Sequence, residues 1–110
     1  FTFGLGGLLL FPLYFRGTAL MLADASPAGL LAAIARHGVA HLFTAPTAYK
    51  ALLNHGVAGD QLGSLRNCVS AGEHLPETTF HAWQSATGMK LINGIGATEM
   101  MHIFIGASGD

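Results

Sequence analysis

The chain has 110 residues, which is the size of a single domain and enough to bury a hydrophobic core. Hydrophobic residues make up 51% of the sequence and charged residues only 10%, against roughly 25% charged in an average soluble domain. The formal net charge of −1 gives no reason to expect nucleic acid or an anionic membrane as a partner. Because the composition is so apolar and the chain runs from Phe1 to Asp110 without an initial Met, we expect an internal piece of a larger protein.

The apolar opening of the chain, residues 1–15, is too short to cross a bilayer. It contains Pro12 and ends at Arg16, whereas a spanning helix needs roughly 18 apolar residues. It also lacks the basic start and small-residue cleavage site of a secretory signal. The single cysteine, Cys68, cannot form an internal disulfide, and its apolar surroundings predict a buried strand thiol. These features predict a reducing, cytoplasmic location.

Glycines are concentrated near the start of the chain. Gly4 and Gly6 have the spacing that opens a dinucleotide-binding loop, but no strand precedes them and the third glycine is misplaced. Glycine also permits the close approach of a ligand or of another backbone, which is the role that we expect here. The apolar residues 8–15 then predict a buried helix.

Apolar runs and helix start signals alternate along the rest of the chain. The predicted strands are residues 18–22, 39–43, 65–70, 90–92 and 101–105. Helices are expected to start at Pro27 (after Ser26), Pro46 and Pro76, since proline is favoured in a first helical turn. Gly38 and Gly88 are expected to end the first and the last of them. This order predicts an α/β fold, with a parallel sheet and helices packed over it.

Three loops follow predicted strands and should meet at one edge of the sheet. They are Thr44-Ala45-Pro46, Ala71-Gly72-Glu73-His74 and residues 94–99. Ligands of parallel sheets bind beyond the carboxyl ends of the strands, so this edge is the expected binding site. His74 and His102 lie in or beside these loops. The other histidines lack a zinc-binding spacing with cysteines or carboxylates, and we expect them to be ordinary surface and core residues.

The last of these loops combines two glycines, a hydroxyl and a carboxylate between two apolar strands. Glycine permits backbone angles and close approaches that a side chain would block. Glu99 in such apolar surroundings is costly to ionise unless it meets a cation or several hydrogen-bond donors. The alternative is an ordinary loop in which Glu99 reaches solvent.

Two motifs resemble the signatures of the adenylate-forming enzymes, which include acyl- and aryl-CoA ligases, luciferases and peptide-synthetase adenylation domains. One is Asn93-Gly94-Ile95-Gly96-Ala97-Thr98-Glu99, and the other, upstream of it, is Ser70-Ala71-Gly72-Glu73-His74-Leu75-Pro76. Further stretches are similar to the benzoate and 2-aminobenzoate CoA-ligase branch, namely Phe3-Gly4-Leu5-Gly6 with Leu10-Phe11-Pro12, Phe43-Thr44-Ala45-Pro46-Thr47, and Thr98-Glu99-Met100-Met101-His102-Ile103-Phe104. The resemblance covers residues 1–110 and implies a slice of the large N-terminal AMP-binding domain.

The resemblance implies a two-step synthesis of a thioester. An aromatic carboxylate attacks the α-phosphate of ATP to give an acyl-adenylate and pyrophosphate, and coenzyme A then displaces AMP. Because the first step concentrates negative charge, it needs Mg²⁺ and hydrogen-bond donors around the phosphates. By resemblance, Glu99 would hold the Mg²⁺ and Thr98 would donate to the α-phosphate.

The resemblance also implies two binding sites. The expected nucleotide-binding residues are Ala71, Gly72, Glu73, His74, Asn93, Gly94, Ile95, Gly96 and Thr98. Among them, Gly72, Glu73 and His74 would form one wall of the adenine slot, and Asn93 would bond the adenine amino group. Ile95 stands where many relatives carry an aromatic residue that stacks on the base, so it would supply only apolar contact.

The aromatic acid would bind between the glycine-rich opening and the final strand. Phe3 would line the ring pocket with Thr2, Ala71 and Gly96 nearby, and His102 would face the carboxylate or a ring substituent. The alternative for Phe3 and His102 is simple core packing.

The family's Ser/Thr/Gly-rich phosphate loop, ribose-binding Asp and C-terminal catalytic Lys do not occur in this sequence. We therefore expect the activity to belong to a parent enzyme, and the 110-residue piece alone to be inactive. Two alternatives stay open. One is a non-catalytic α/β module that binds nucleotide or a partner, and the other is an adenylation domain that loads a carrier protein.

Overall fold

Four strands form one sheet in the computed structural model, which describes residues 2–107. The strands are β1 (His41–Thr44), β2 (Asn67–Ser70), β3 (Leu91–Gly96) and β4 (Ile103–Ala107), and they are ordered β1-β2-β3-β4 across the sheet. β1, β2 and β3 are parallel, whereas β4 pairs antiparallel with β3 because residues 97–102 turn directly back. The predicted α/β fold with a largely parallel sheet is confirmed. Phe1, the first residue of the apolar opening, and residues 108–110, the end of the stretch that the resemblance covers, lie outside the described residues.

Residues 2–107 also contain five α-helices and three turns of π or 3-10 helix. The helices are α1 (Thr2–Leu5), α2 (Phe11–Tyr14), α3 (Pro27–His37), α4 (Pro46–Asn54) and α5 (Glu77–Thr87). A π-helical turn, Gly6–Leu10, joins α1 to α2, and 3-10 turns occupy Gly59–Leu62 and Thr98–Met100. Within residues 2–107, no helix has both the length and the apolar character needed to cross a membrane.

The predicted cap residues of α3 and α5 take up the expected geometry. Oγ of Ser26 accepts a hydrogen bond of 3.1 Å from the backbone N–H of Gly29, which satisfies one of the free donors of the first turn of α3. Gly38 follows α3 with φ 61° and Gly88 follows α5 with φ 73°. A glycine adopts this left-handed conformation without the steric cost that a Cβ brings.

The helices α3, α4 and α5 cover one face of the sheet and form the core with it. Leu42, Cys68 and Leu91 are partners in register on adjacent strands, so they share this face. The rings of Tyr49 and Trp83 pack edge to face above them with centroids 4.8 Å apart. The Tyr49 hydroxyl donates to the carbonyl oxygens of Leu42 and Val69, at 3.2 and 3.0 Å, and so ties α4 to two strands. Cys68 is fully buried, as predicted.

The N-terminal segment packs over the opposite face of the sheet, where the ring of Phe3 meets that of Phe43 at 6.2 Å. The prediction of a helix over residues 8–15 is confirmed for residues 8–14, but the prediction that this helix is buried is wrong. The segment consists of α1, the π-helical turn and α2, and many of its large apolar side chains are exposed. Those exposed side chains are Leu8, Leu9, Phe11, Leu13, Tyr14 and Phe15.

The prediction of a strand over residues 18–22 is also wrong. This segment pairs with no strand in the described part of the chain, and Met21 is 68% exposed. A run of apolar residues becomes a strand only where a neighbour accepts its backbone hydrogen bonds. The other strands exist but are displaced: β3 extends to Gly96 instead of ending at Ile92, and β4 runs from Ile103 instead of Met101.

Candidate active site

The carboxyl ends of the three parallel strands meet at one edge of the sheet. Thr44 and Ser70, the last residues of β1 and β2, are in register with Asn93, and β3 runs three residues further to Gly96. The backbone N–H of Ala71 donates to the carbonyl oxygen of Thr44 at 3.4 Å and continues this alignment past the strand ends. The loops that follow β1, β2 and β3 therefore lie at one edge of the sheet, as predicted.

A cavity of about 190 Å³ opens at this edge, on the face that carries the N-terminal segment. Residues from both ends of the chain and from the middle line it. They are Thr2, Phe3, Ala71, Gly72, Gly96, Ala97, Thr98, His102 and Ile103. All five residues that the sequence assigned to the acid pocket belong to this set, and its walls consist mainly of small side chains. We call this space the first cavity.

His102 is the buried polar residue of the first cavity, with only 8% of its surface exposed. Three phenylalanine rings surround its imidazole, with centroid distances of 5.2 Å to Phe3, 4.7 Å to Phe11 and 6.0 Å to Phe43. Burial lowers the pKa of His102, and a hydrogen bond to the backbone of Phe3 acts in the opposite direction. The Nε2 atom has no hydrogen-bond partner among the described residues.

A second cavity, of about 400 Å³, lies on the helix-covered face beside α5. Its lining residues are His74, Leu75, Glu77, Phe80, Leu91, Asn93 and Ala107. It therefore brings together His74 and Asn93, two of the residues that were predicted to bind adenine. Asn93 reaches this face because it lies two residues after Leu91 on β3, and side chains two apart on a strand share a face.

The loop after β2 has an unusual backbone conformation and a long-range side-chain contact. Gly72 has φ 87°, which favours glycine over residues with a Cβ. Oγ1 of Thr47, at the start of α4, donates a hydrogen bond of 3.3 Å to Oε1 of Glu73. Glu73 and His74 are both exposed at the edge of the sheet.

The two glycines of the signature motif lie in β3, and the expectation that they form a loop is wrong. A Cβ on Gly94 would lie 2.5 Å from Cδ1 of Ile103, so the glycine leaves the space that the Ile103 side chain occupies. A bulge between Ile95 and Gly96 interrupts the ladder just before the turn. Ile95 is 62% exposed and is free to contact a ligand at the sheet edge.

Thr98 and Glu99 lie in the exposed 3-10 turn between β3 and β4. The expectation that Glu99 is enclosed by apolar strands is wrong, because the turn carries its carboxylate out of the sheet. Residues 2–107 contain no group of three or more His, Cys, Asp or Glu side chains that could hold a metal ion by themselves. A lone exposed carboxylate fits Mg²⁺ all the same, since this ion takes one or two carboxylates together with phosphate oxygens and waters.

Several cavity residues were not predicted from the sequence. Ala97 and Ile103 line the first cavity, and Leu75, Glu77, Phe80, Leu91 and Ala107 line the second. Ile103 could have been found from its position, because it directly follows His102 at the start of a strand. The residues of α5 carry no such signal, since their pattern is that of ordinary core and surface positions.

The fold is of the mostly parallel α/β class, with two cavities that take residues from the ends of its strands. The whole chain, residues 1–110, matches the sequence profile of the AMP-binding enzymes. It is 39% identical over 107 residues to the benzoate–CoA ligase of Thauera aromatica, which covers 96% of this chain and 20% of that enzyme. The chain belongs to the AMP-binding enzyme family, and it spans about a fifth of the length of the curated relatives it matches.

Solved structures agree with this assignment. The anthranilate CoA ligase AuaEII, in complex with anthranoyl-AMP, superposes with a TM-score of 0.86 at 40% identity over 99% of this chain and 22% of that one. A benzoate CoA ligase from Burkholderia xenovorans LB400 superposes with a TM-score of 0.87 at 32% identity, covering 98% and 22%. The sheet and its helices thus have the fold found in adenylate-forming enzymes.

Proposed function

We propose that this chain is part of an ATP-dependent aryl-CoA ligase, and that residues 1–110 are a portion of its large N-terminal domain. The acid substrate is an aromatic carboxylate of the benzoate or 2-aminobenzoate type. One carboxylate oxygen attacks the α-phosphorus of ATP and pyrophosphate leaves. The thiol sulfur of coenzyme A then attacks the acyl carbon and AMP leaves. The single reduced cysteine, buried in β2, supports a cytoplasmic location for this enzyme.

The first cavity carries this proposal. Thr2 and Phe3 come from the first helix, Ala71 from the end of β2, and Gly96 and His102 from the hairpin of β3 and β4, yet all five line one space. Its volume of about 190 Å³ is below the roughly 300–1,000 Å³ of pockets that hold drug-sized ligands, so it suits a single-ring acid. The small walls at Ala71, Gly72 and Gly96 leave a flat space for the ring.

The nucleotide is proposed to bind at the same edge, on the other side of β3. Asn93 and His74 line the second cavity. There the side-chain amide of Asn93 can bond adenine, and the backbone at His74 can form a wall beside it. Ile95 supplies apolar contact in place of a stacked aromatic ring. The exposed Thr98 hydroxyl lies on the rim of the first cavity and can donate to an α-phosphate oxygen. Acid and nucleotide would therefore meet at the turn between β3 and β4.

Glu99 is the residue that we propose to hold Mg²⁺. Its carboxylate is exposed in the turn that follows β3, the strand that contributes residues to both cavities. A nucleotide bound there would lie within its reach. When bound, Mg²⁺ would neutralise charge on the phosphates. The protein's own contribution is to hold this carboxylate, and the Thr98 hydroxyl, at a fixed place on the hairpin.

ATP–pyrophosphate exchange in the full-length enzyme that carries this chain tests the proposal. Benzoate and 2-aminobenzoate should each support exchange, acetate should not, and added coenzyme A should yield the aryl thioester and AMP. A non-catalytic nucleotide-binding module would give no exchange with any acid. An adenylation domain that loads a carrier protein would give exchange but no coenzyme A thioester. The 110-residue chain alone should give no exchange, because most phosphate and ribose contacts of the family lie in segments that this sequence lacks.

A further inference from the structure

The imidazole of His102 packs against a helical turn that carries no side chain at the point of contact. Gly6 and Gly7 begin the π-helical turn Gly6–Leu10, and both are buried. A Cβ built on Gly6 would lie 2.5 Å from Cδ2 of His102 and 3.2 Å from its Cγ. Non-bonded carbon atoms pack at about 3.5–4.0 Å, so a side chain at position 6 would displace either the ring or the helix.

The ring has little room to move aside. Phe11 and Phe43 contact it edge to face at 4.7 and 6.0 Å, and Phe3 lies against it at 5.2 Å. The main chain of His102 also lies close to Gly96, where a Cβ would come within 2.8 Å of the His102 carbonyl oxygen. Close-packed interiors transmit such a displacement instead of absorbing it.

The burial of His102 has a second feature that points to a ligand. The residue is more than nine-tenths buried, and its Nε2 has no hydrogen-bond partner among the described residues. Buried polar atoms in native proteins are almost always paired, and leaving one unpaired is costly. Because His102 lines the first cavity, a bound ligand is the natural source of the missing partner.

We propose that Gly6 is a positioning residue for the aromatic acid: the absence of a side chain there sets how deeply the His102 ring sits against the N-terminal segment, and so fixes the shape of the acid cavity. The proposal rests on the proposed function, because it takes the first cavity as the acid site. Gly6 is not among the residues that line the cavity and acts only through His102. π-helical turns are frequent at functional sites, and in this one Gly6 and Gly7 both lie against His102.

The test compares Gly6→Ala with Gly4→Ala in the full-length enzyme. Gly4 lies in the same segment, but a Cβ there meets no described atom within 4 Å. Both variants therefore add one methyl group to a helical glycine, and only the one at Gly6 brings it against the His102 ring. Gly6→Ala should raise the KM for the aryl acid by about tenfold or more, since a displacement near 1 Å is enough for such losses. The KM for ATP should change less than about twofold, and Gly4→Ala should match the unmodified enzyme.

A double-variant cycle with His102→Ala identifies the cause. If the ring transmits the effect, Gly6→Ala should add little to the KM of the His102→Ala enzyme. The proposal would be overturned if Gly6→Ala raised the aryl-acid KM as much in the His102→Ala enzyme as in the unmodified one, or if it raised the KM for acid and the KM for ATP equally. Either result would assign Gly6 a general structural role. If Gly6→Ala is insoluble, the double variant should recover solubility because the colliding ring is gone, and an insoluble double variant would also overturn it.

The outcomes also separate this proposal from the one on which it rests. An unmodified enzyme that activates no aromatic acid would overturn the proposed function and the role of Gly6 with it. An active enzyme in which Gly6→Ala behaves like Gly4→Ala would overturn the role of Gly6 alone.

Discussion

The hydroxyl of Thr47 donates a hydrogen bond of 3.3 Å to the carboxylate of Glu73, which lies 26 residues further along the chain. The bond links the first turn of α4 to the loop that follows β2, next to Gly72 with its φ of 87°. Both side chains are exposed, so the bond contributes to the position of the loop more than to the stability of the fold. Glu73 and His74 are among the residues that we propose for the adenine site.

Replacing Thr47 should therefore weaken nucleotide binding. We expect Thr47→Val in the full-length enzyme to raise the KM for ATP about two- to fivefold, in line with the ~0.5–1 kcal/mol of one hydrogen bond that is exposed to solvent. The KM for the aryl acid should stay the same. Thr47→Ser keeps the hydroxyl and is the matched control, and steady-state kinetics with each substrate varied in turn would measure both. Identical behaviour of the Val and Ser variants would show that this hydrogen bond does not position the loop.

Replacing Glu99 should slow adenylation without weakening the binding of the aryl acid. Glu99→Gln keeps the shape of the side chain and removes the charge that we propose for Mg²⁺. We expect ATP–pyrophosphate exchange to fall on the order of a hundredfold or more, as when one preorganised electrostatic group is lost, and excess Mg²⁺ to recover part of the rate. Asp60→Asn, which removes an exposed carboxylate from the turn Gly59–Leu62, is the control. Near-normal exchange with unaltered Mg²⁺ dependence would make Glu99 a structural turn residue.

Replacing His102 should act on the acid more than on ATP. Loss of one hydrogen bond to a charged group is worth roughly 1.5–3 kcal/mol, so we expect His102→Ala to raise the aryl-acid KM about tenfold to a hundredfold. His55→Ala, an exposed histidine just after α4, should leave both KM values unchanged. Equal rises in the KM for acid and for ATP would instead assign His102 to core packing.

His102 should also bind its proton more weakly than a free histidine. Burial lowers its pKa from the ordinary value of 6.5, so the unfolded chain binds more protons than the folded one in the range just below pH 6.5. Its contribution to stability is complete above pH 6.5 and is lost as the pH falls from there through the lower, folded-state pKa. NMR of ¹³C-histidine-labelled enzyme should give one resonance, absent in His102→Ala, with a midpoint below 6.5. A midpoint at or above 6.5 would contradict this assignment.

The parts of the fold that were predicted correctly carry local signals. Ser26-Pro27 and Gly38 bracket α3, and Gly88 ends α5, because caps and left-handed glycines are required by the backbone of the helix itself. The wrong predictions concern segments whose state depends on distant neighbours. Residues 18–22 are apolar enough for a strand, but no neighbouring strand of the described chain accepts their hydrogen bonds.

The family resemblance predicted which residues group around the cavities. It did not predict the secondary structure and exposure of the residues beside them. Gly94 and Gly96 were assigned to a loop because glycine is common in turns. The structure keeps them in β3, since pairing of Gly94 with Gly106 and packing under Ile103 outweigh the local preference. Glu99 was expected between apolar strands, but the length of β3 moves the turn outward. The local sequence around β3 does not show where its partner strand will pair, because the partners of its residues lie seven to fourteen positions further along the chain.

The antiparallel return of β4 along β3 places the groups proposed for the two substrates on one hairpin. Asn93 and Thr98 face the nucleotide in our proposal, Glu99 faces its metal, and His102 faces the acid, and all four lie within residues 93–107, which form the hairpin. A shift of this hairpin that improves one site must alter the other. Occupancy of the acid cavity should then change the affinity for nucleotide, and by thermodynamic linkage the nucleotide must change the affinity for acid by the same factor.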